Sequence, residues 1–254
     1  MTIAGSDSGG GAGIQADLKT FTALGVYGTT VVTAVTAQTS VRVVEAMALP
    51  ASLVVAQFDA VVSDMPPDAI KIGMLGSLAN VEIVAARLRT CGVEAVVLDP
   101  VLASTSGRTL LDSGALGALR TEILPLSLVV TPNLMEAEAL VEAPVRDLEG
   151  MEEAARRLHA MGAANVLVTG GHLGGDTAVD VFYDGRAIGR LSRPRIARSP
   201  HGTGCVLSAA IAAYLAKGHS PEASVAGAKD FVTASIQAAF QAGQGDVCDP
   251  RPLG

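Results

Sequence analysis

The chain of 254 residues has 18 basic and 25 acidic side chains, a net charge of −7 and 49% hydrophobic residues, enough apolar material for a core and too little positive charge for a nucleic-acid or anionic-lipid surface. Three cysteines without a C-x-x-C and four histidines without ligand spacing argue against a disulfide framework and a zinc site. No apolar run nears the roughly 20 residues that span a bilayer, and Met1 leads straight into Thr2 and Ile3 without a secretion signal, so a cytoplasmic protein with small-molecule partners is expected.

An initial strand runs into Gly5-Ser6-Asp7-Ser8-Gly9-Gly10-Gly11-Ala12-Gly13, after which Ile14, Leu18, Phe21 and Leu24 fall on one helical stripe. So many glycines let a backbone approach a ligand, and the helix behind them offers unpaired N–H groups. The loop lacks the Gly-Lys-Ser/Thr of a Walker loop and a complete G-x-G-x-x-G, and its plain alternative is a flexible turn. Short β-branched runs predict strands over residues 29–35, 69–72, 95–98, 128–131 and 166–169. Helical patterns separate them: one after Pro50 with Leu53, Ala56 and Val61 on its stripe, one over residues 78–88 and one over residues 151–161. This alternation implies a mostly parallel sheet covered on both faces.

Leu98-Asp99-Pro100-Val101 puts a carboxylate at the carboxyl end of a strand, where open α/β sheets bind ligands. Thr131-Pro132-Asn133-Leu134-Met135-Glu136 joins a strand to a helix and supports two readings. Either Asn133 and Glu136 cap the helix, or, three apart on one face, they hold water around Mg²⁺. Beyond Gly175 the segments 178–183 and 186–191 alternate and are joined by Asp184-Gly185, a hairpin that gives the sheet antiparallel edge strands.

His201-Gly202-Thr203-Gly204-Cys205 then opens an Ala-rich helix over roughly residues 204–217. Consecutive N–H groups at the positive end of that helix suit an anion hole for a phosphoryl group in transfer. Cys205 lies in the first turn, where the same field is expected to lower a thiol pKa and fit it as proton acceptor or ligand contact. Its alternative is a small cysteine in tight packing. A second helix over residues 221–242 and a loose tail over residues 243–254 complete a single domain spanning 1–254.

Taken together, these segments resemble the hydroxymethylpyrimidine/phosphomethylpyrimidine kinases of thiamine biosynthesis, members of the ribokinase superfamily, over nearly the whole chain. The stretch from Thr2 to Lys19 is similar to that family's amino-terminal signature almost letter for letter. Val35-Thr36-Ala37-Gln38, Lys71-Ile72-Gly73-Met74-Leu75, Leu98-Asp99-Pro100-Val101, Thr131-Pro132-Asn133, Gly170-Gly171-His172 and His201-Gly202-Thr203-Gly204-Cys205 are similar as well.

The resemblance implies an α/β protein with a ribokinase-like three-layer α/β/α fold. It also implies Mg²⁺-dependent transfer of the ATP γ-phosphoryl to 4-amino-5-hydroxymethyl-2-methylpyrimidine and then to its monophosphate, by a homodimer. By position, Gln38 would hydrogen-bond the pyrimidine edge, Met74 would pack on its face, and Gly5 and Asp17 would line the same pocket. Gly202, Thr203, Gly204 and Cys205 would form the anion hole, Cys205 standing where other ribokinase relatives carry an aspartate base. Thr131, His201, Gly202 and Lys229 would meet ATP, while Asp99, Asn133 and Glu136 would manage Mg²⁺ and the phosphates. The chain departs from the pattern at Thr169 and Thr105, where relatives carry lysine, which implies slower turnover unless Arg108, Lys229 or a metal ion compensates. Ser199-Pro200 before His201 is a further departure, and relatives begin a few residues ahead of Met1. The rival readings are a pyridoxal kinase and a pyrimidine-binding sensor without catalysis.

Overall fold

A nine-stranded sheet forms the centre of the computed structural model, which describes residues 1–103, 107, 109–112, 114–171 and 173–250. Its strands are β1 (Thr2–Asp7), β2 (Thr30–Gln38), β3 (Val43–Ala48), β4 (Ile70–Ile72), β5 (Val96–Leu98), β6 (Val129–Val130), β7 (Asn165–Val168), β8 (Thr177–Tyr183) and β9 (Ile188–Pro194). They lie in the order β3-β2-β1-β4-β5-β6-β7-β8-β9. β2, β1, β4, β5, β6 and β7 run parallel, whereas β3 at one edge and the β8–β9 hairpin at the other run antiparallel to their neighbours. The mostly parallel sheet with antiparallel edges expected from the sequence is present.

Alternation along these short strands feeds two cores. Ile70, Ile72, Val96, Leu98, Val130, Val166 and Val168 face one side, against α2 (Ala51–Asp64), α3 (Leu78–Leu88), α5 (Leu134–Val141) and α6 (Leu148–Ala160). Val97, Val129 and Leu167 face the other, against α1 (Gly13–Ala23), α7 (Thr203–Ala216) and α8 (Pro221–Gln237). α7 is buried almost all round from Val206 to Leu215, which its alanines permit because small side chains let it lie close to the sheet, α1 and α8. α4 (Ala115–Ala118) leads into irregular helical turns through Leu126. Among the described residues no helix is long and apolar enough to cross a membrane.

Several expectations are corrected here. The buried face of α1 is Ala16, Asp17, Thr20 and Phe21, not a purely apolar stripe, because two polar side chains find partners inside. α2 buries Val54 and Phe58 and leaves Leu53 exposed, a rotation of the expected stripe. α8 ends at Gln237, and the residues beyond form a ribbon of β10 (Phe240–Ala242) and β11 (Gly245–Val247) instead of helix and loose tail. Ser40 Oγ accepts from the N–H groups of Gln244 and Gly245, Asp246 O accepts from His201 N, and Val247 and Cys248 are buried. Strand β3 had no expectation, since only Val43 in it is buried and no alternation marks it.

Candidate functional site

Asp7, Gln38, Gly73, Asp99, Thr131 and Thr169 follow or close β1, β2, β4, β5, β6 and β7, so all lie at the carboxyl edge of the parallel strands. β1 is flanked by β2 on one side and β4 on the other, the topological switch point where such sheets open a crevice. At the end of β1 the Asp7 carboxylate accepts from the N–H groups of Gly9 at 2.7 Å, Gly11 at 3.0 Å and Ala12 at 2.8 Å, folding the glycine run into a cup. Although burial pulls the other way, the nearby His201 ring and hydrogen bonds from the N–H groups of Ala12 and Gly9 hold the Asp7 carboxyl below its usual range.

The two glycine segments meet at this cup. Gly202 has φ +89°, and a Cβ there would lie 1.8 Å from Gly11 O, so only glycine fits. Gly202 is also the N-cap of α7 and supplies no side-chain cap, which leaves the first N–H groups of that helix available to an anion. His201 Nε2 lies 2.6 Å from Gln38 Nε2 and 3.5 Å from Asp7 Oδ2, and Gln38 Oε1 accepts from Thr36 Oγ1. His201 therefore stands beside Gln38, the residue expected at the pyrimidine edge. A Cβ on Gly5 would come within 3.0 Å of Met74 Sδ, so the bare backbone of β1 leaves room for that thioether. Met74 O accepts from Thr33 Oγ1, and Asn80 Nδ2 donates to Leu75 O, holding the turn after β4.

Beneath the cup lies a charged cluster. Lys71 on β4 is fully buried, and its Nζ is 3.0 Å from both oxygens of Asp17 and 3.8 Å from Asp99 Oδ2. Thr2 Oγ1 donates to Asp17 at 2.6 Å, and Ser208 Oγ donates to Asp99 Oδ2 at 3.0 Å. Burial works against the Lys71 ammonium, yet the charges of Asp17 and Asp99 around it raise its pKa. The sequence shows a trace of this arrangement: Lys71 is the one charge between Ile70 and Ile72, in register with apolar Val97 and Val129 on the sheet face that α7 covers.

Several expectations for site residues change. Asp17 does not line an open pocket, since it is fully buried with its carboxylate taken by Lys71 and Thr2. Lys229 is buried and donates to Asp180 Oδ2 at 2.6 Å; Asp180 Oδ1 in turn accepts from Gly170 N, so the lysine secures the turn after β7 and does not stand open to a phosphate. The Cys205 thiol is pushed up to about 12 by burial, which outweighs Lys71, so the expected lowering at the helix start does not occur. Asn133 spends its side-chain oxygen on Glu136 N at 3.0 Å, while Glu136 Oε2 accepts from Asn133 N at 2.9 Å, a complete capping box. Thr131 is buried, and both its N–H and its hydroxyl donate to Leu98 O. Thr105, Arg108 and His172 lie outside the described residues.

Glu136 and Asp99 form the pair best suited to a hard cation. Burial, and then the charge of Asp99, push the Glu136 carboxyl up to about 8. Burial likewise raises Asp99. Two buried carboxyls that disfavour each other's ionisation fit an oxygen-seeking cation such as Mg²⁺, which relieves the repulsion. Among the described residues no group of three or more His, Cys, Asp or Glu surrounds one point, so the remaining ligands of such an ion would be water and phosphate. The free amides of α7 fit a phosphate in the same way.

Comparison with known proteins places this geometry in a family. The sequence profile described as phosphomethylpyrimidine kinase matches residues 7–248. The chain is 51% identical to the hydroxymethylpyrimidine/phosphomethylpyrimidine kinase of Rhizobium meliloti, covering 96% of this chain and 93% of that protein. It is 48% identical to a thiamine biosynthesis bifunctional protein of Geobacter sulfurreducens over 96% of its own length, and it spans 50% of that protein. Among solved structures, the ADP complex of Bacillus subtilis pyridoxal kinase superimposes with a TM-score of 0.91 at 38% identity, covering 98% of this chain and 95% of that one. The chain belongs to the phosphomethylpyrimidine kinase family.

Proposed function

We propose that the protein transfers the γ-phosphoryl group of ATP to the hydroxymethyl of 4-amino-5-hydroxymethyl-2-methylpyrimidine, and then a second phosphoryl to its monophosphate, in thiamine diphosphate biosynthesis. One observation carries the reading: Gly202 opens α7 in the left-handed region against Gly11 O, so the helix amides without a side-chain cap lie beside the glycine cup and, through His201, beside Gln38. Phosphoryl transfer passes through a loose transition state and needs alignment and charge stabilisation above all. In this reading Gln38 takes the amino edge of the ring, exchanging His201 for the substrate, while Met74 packs on its face beside Gly5. The amides of Gly202, Thr203, Gly204 and Cys205 receive the developing charge, with Thr131 and His201 flanking the nucleotide.

Asp99 and Glu136 would hold Mg²⁺ through water, and the ion would neutralise phosphate charge. Asn133 contributes by fixing Glu136 through the capping box, and Asp17 and Lys229 contribute from behind the surface. Cys205, neutral at physiological pH, orients the alcohol and does not act as base, because the proton leaves late in a loose transfer. The single domain acts in the cytoplasm as a homodimer, a reading supported by Val35 and Met47, which pair across β2 and β3 and are both exposed.

A second reading, pyridoxal kinase, draws on the likeness to the Bacillus subtilis structure. Offering Mg·ATP with the pyrimidine alcohol, its monophosphate or pyridoxal, and weighing the products by mass spectrometry, separates the two. Mono- and diphosphate of the pyrimidine are expected, with a higher kcat/KM than pyridoxal. A preference for pyridoxal would overturn the assignment.

A further inference from the structure

Lys71 has no part in the chemistry described so far, yet its ammonium is fully buried between two carboxylates on different elements. An unneeded buried charge is easily replaced by an apolar side chain, so its surroundings call for a reason. Residue 73 packs tightly against Nζ: a Cβ there would lie 2.9 Å from Nζ and 3.1 Å from Ala4 Cβ, so glycine leaves the ammonium in its place. Asp17, on α1, is already bound by Thr2 and by two short contacts from Lys71. Asp99, beyond β5, is held differently. Its Oδ2 takes the Ser208 hydroxyl at 3.0 Å and lies 3.8 Å from Nζ, and its charge reaches Glu136. Ser208 sits one turn into α7 behind the uncapped amides, where its hydroxyl is also 2.9 Å from Gly204 O and 3.2 Å from Cys205 O. A carboxylate is the strongest of these acceptors, so the single hydroxyl proton goes to Asp99.

We propose that Lys71 and Ser208 are positioning residues for Asp99: gripping one carboxylate oxygen from beneath, they fix where that side chain meets the divalent cation and, through α7, tie that point to the anion hole. The proposal rests on the kinase reading above. The competing explanation is that Lys71 only neutralises Asp17 and Ser208 only fills space.

Two variants decide between them. Ser208→Ala leaves the Lys71–Asp17 pair intact, and Lys71→Met combined with Asp17→Asn removes that pair together, so that only Asp99 loses its counter-charge. The measurements are kcat, KM for the pyrimidine, melting temperature, and Mn²⁺ binding in the presence of ADP, followed by the paramagnetic resonance of the free ion. Ser208→Ala should keep its melting temperature and pyrimidine KM while losing about 10-fold in kcat and in Mn²⁺ affinity. The double variant should regain the stability that Lys71→Met alone loses, yet remain about 100-fold down in kcat with Mn²⁺ binding weakened. A double variant with wild-type kcat and Mn²⁺ affinity overturns the proposal, and so does a Ser208→Ala protein unchanged in both. If the double variant does not fold, Ser208→Ala decides alone. A wild type that phosphorylates none of the alcohols refutes the kinase reading instead, and the Mn²⁺ arm still reports on Asp99.

Discussion

Glu136 shows how a single side chain can set a pH response. Its carboxyl titrates at about 8 in the folded chain because burial and then the neighbouring Asp99 disfavour its charge, against 4.5 for an ordinary glutamate. Between those values the native state keeps a proton that the unfolded chain releases. Stability from this group is therefore fully present below about pH 4.5 and is lost as pH rises through 8, with a slope of up to about 1.4 kcal/mol per pH unit. Glu136→Gln cannot titrate and should lack that slope. Thermal melts of both proteins at pH 5.5 and 8.5 check this: the wild type should lose several degrees more than the variant, and equal losses would show that Glu136 is ionised in both states. Mg²⁺ should flatten the wild-type slope, since a cation beside Asp99 and Glu136 favours the charged form. The capping role of Asn133 and Glu136 was readable from their spacing, because it needs only local geometry. The grouping of Glu136 with Asp99 came only from the family resemblance, because it joins the end of β5 to the first turn of α5, which no local pattern links.

At the scale of elements, the contact that matters most is the one between the glycine loop after β1 and the start of α7. A methyl group at Gly202 would overlap Gly11 O at 1.8 Å, and the backbone there lies at φ +89°. The same approach that brings the two loops together also aims the α7 amides into the site. Gly202→Ala should thus cost stability and, beyond that, lower kcat by at least about 100-fold, the scale of losing a charge-stabilising donor. Steady-state kinetics with a melting curve tests this, and a variant with normal kcat would detach the loop from the reaction. Both loops were legible because glycine runs before helices leave a sequence signal, whereas their contact, 191 residues apart in the chain (Gly11 and Gly202), leaves none. The end of α8 shows the converse: its alanine-rich pattern continues past Gln237, but pairing of β10 with β11 and docking of Asp246 on His201 override local helix preference.

For the whole molecule, the existence of the six parallel strands followed from the sequence, though not their order, because buried parallel strands need near-continuous apolar runs and those runs are conspicuous. What the pattern could not contain is that the two cores meet only through the sheet and that the candidate site draws on both. Asp99 and Thr131 follow strands β5 and β6, which feed both cores, Asp7 and Gln38 end strands β1 and β2, Glu136 lies on α5 over one core, and Gly202 opens α7 over the other. A ligand that spans those groups binds only when both layers are docked, so it stabilises the native state as a unit. Mg·ADP at about 100 times its dissociation constant should add about 2.7 kcal/mol, equivalent to roughly 5 to 10 °C in melting temperature for a chain of this size. The shift should appear in one transition and should be lost in Gly202→Ala, whose helix mouth is distorted. Differential scanning calorimetry with and without nucleotide measures it. Two transitions, of which nucleotide moves only one, would mean that the layers unfold separately and that the nucleotide is held by one of them alone.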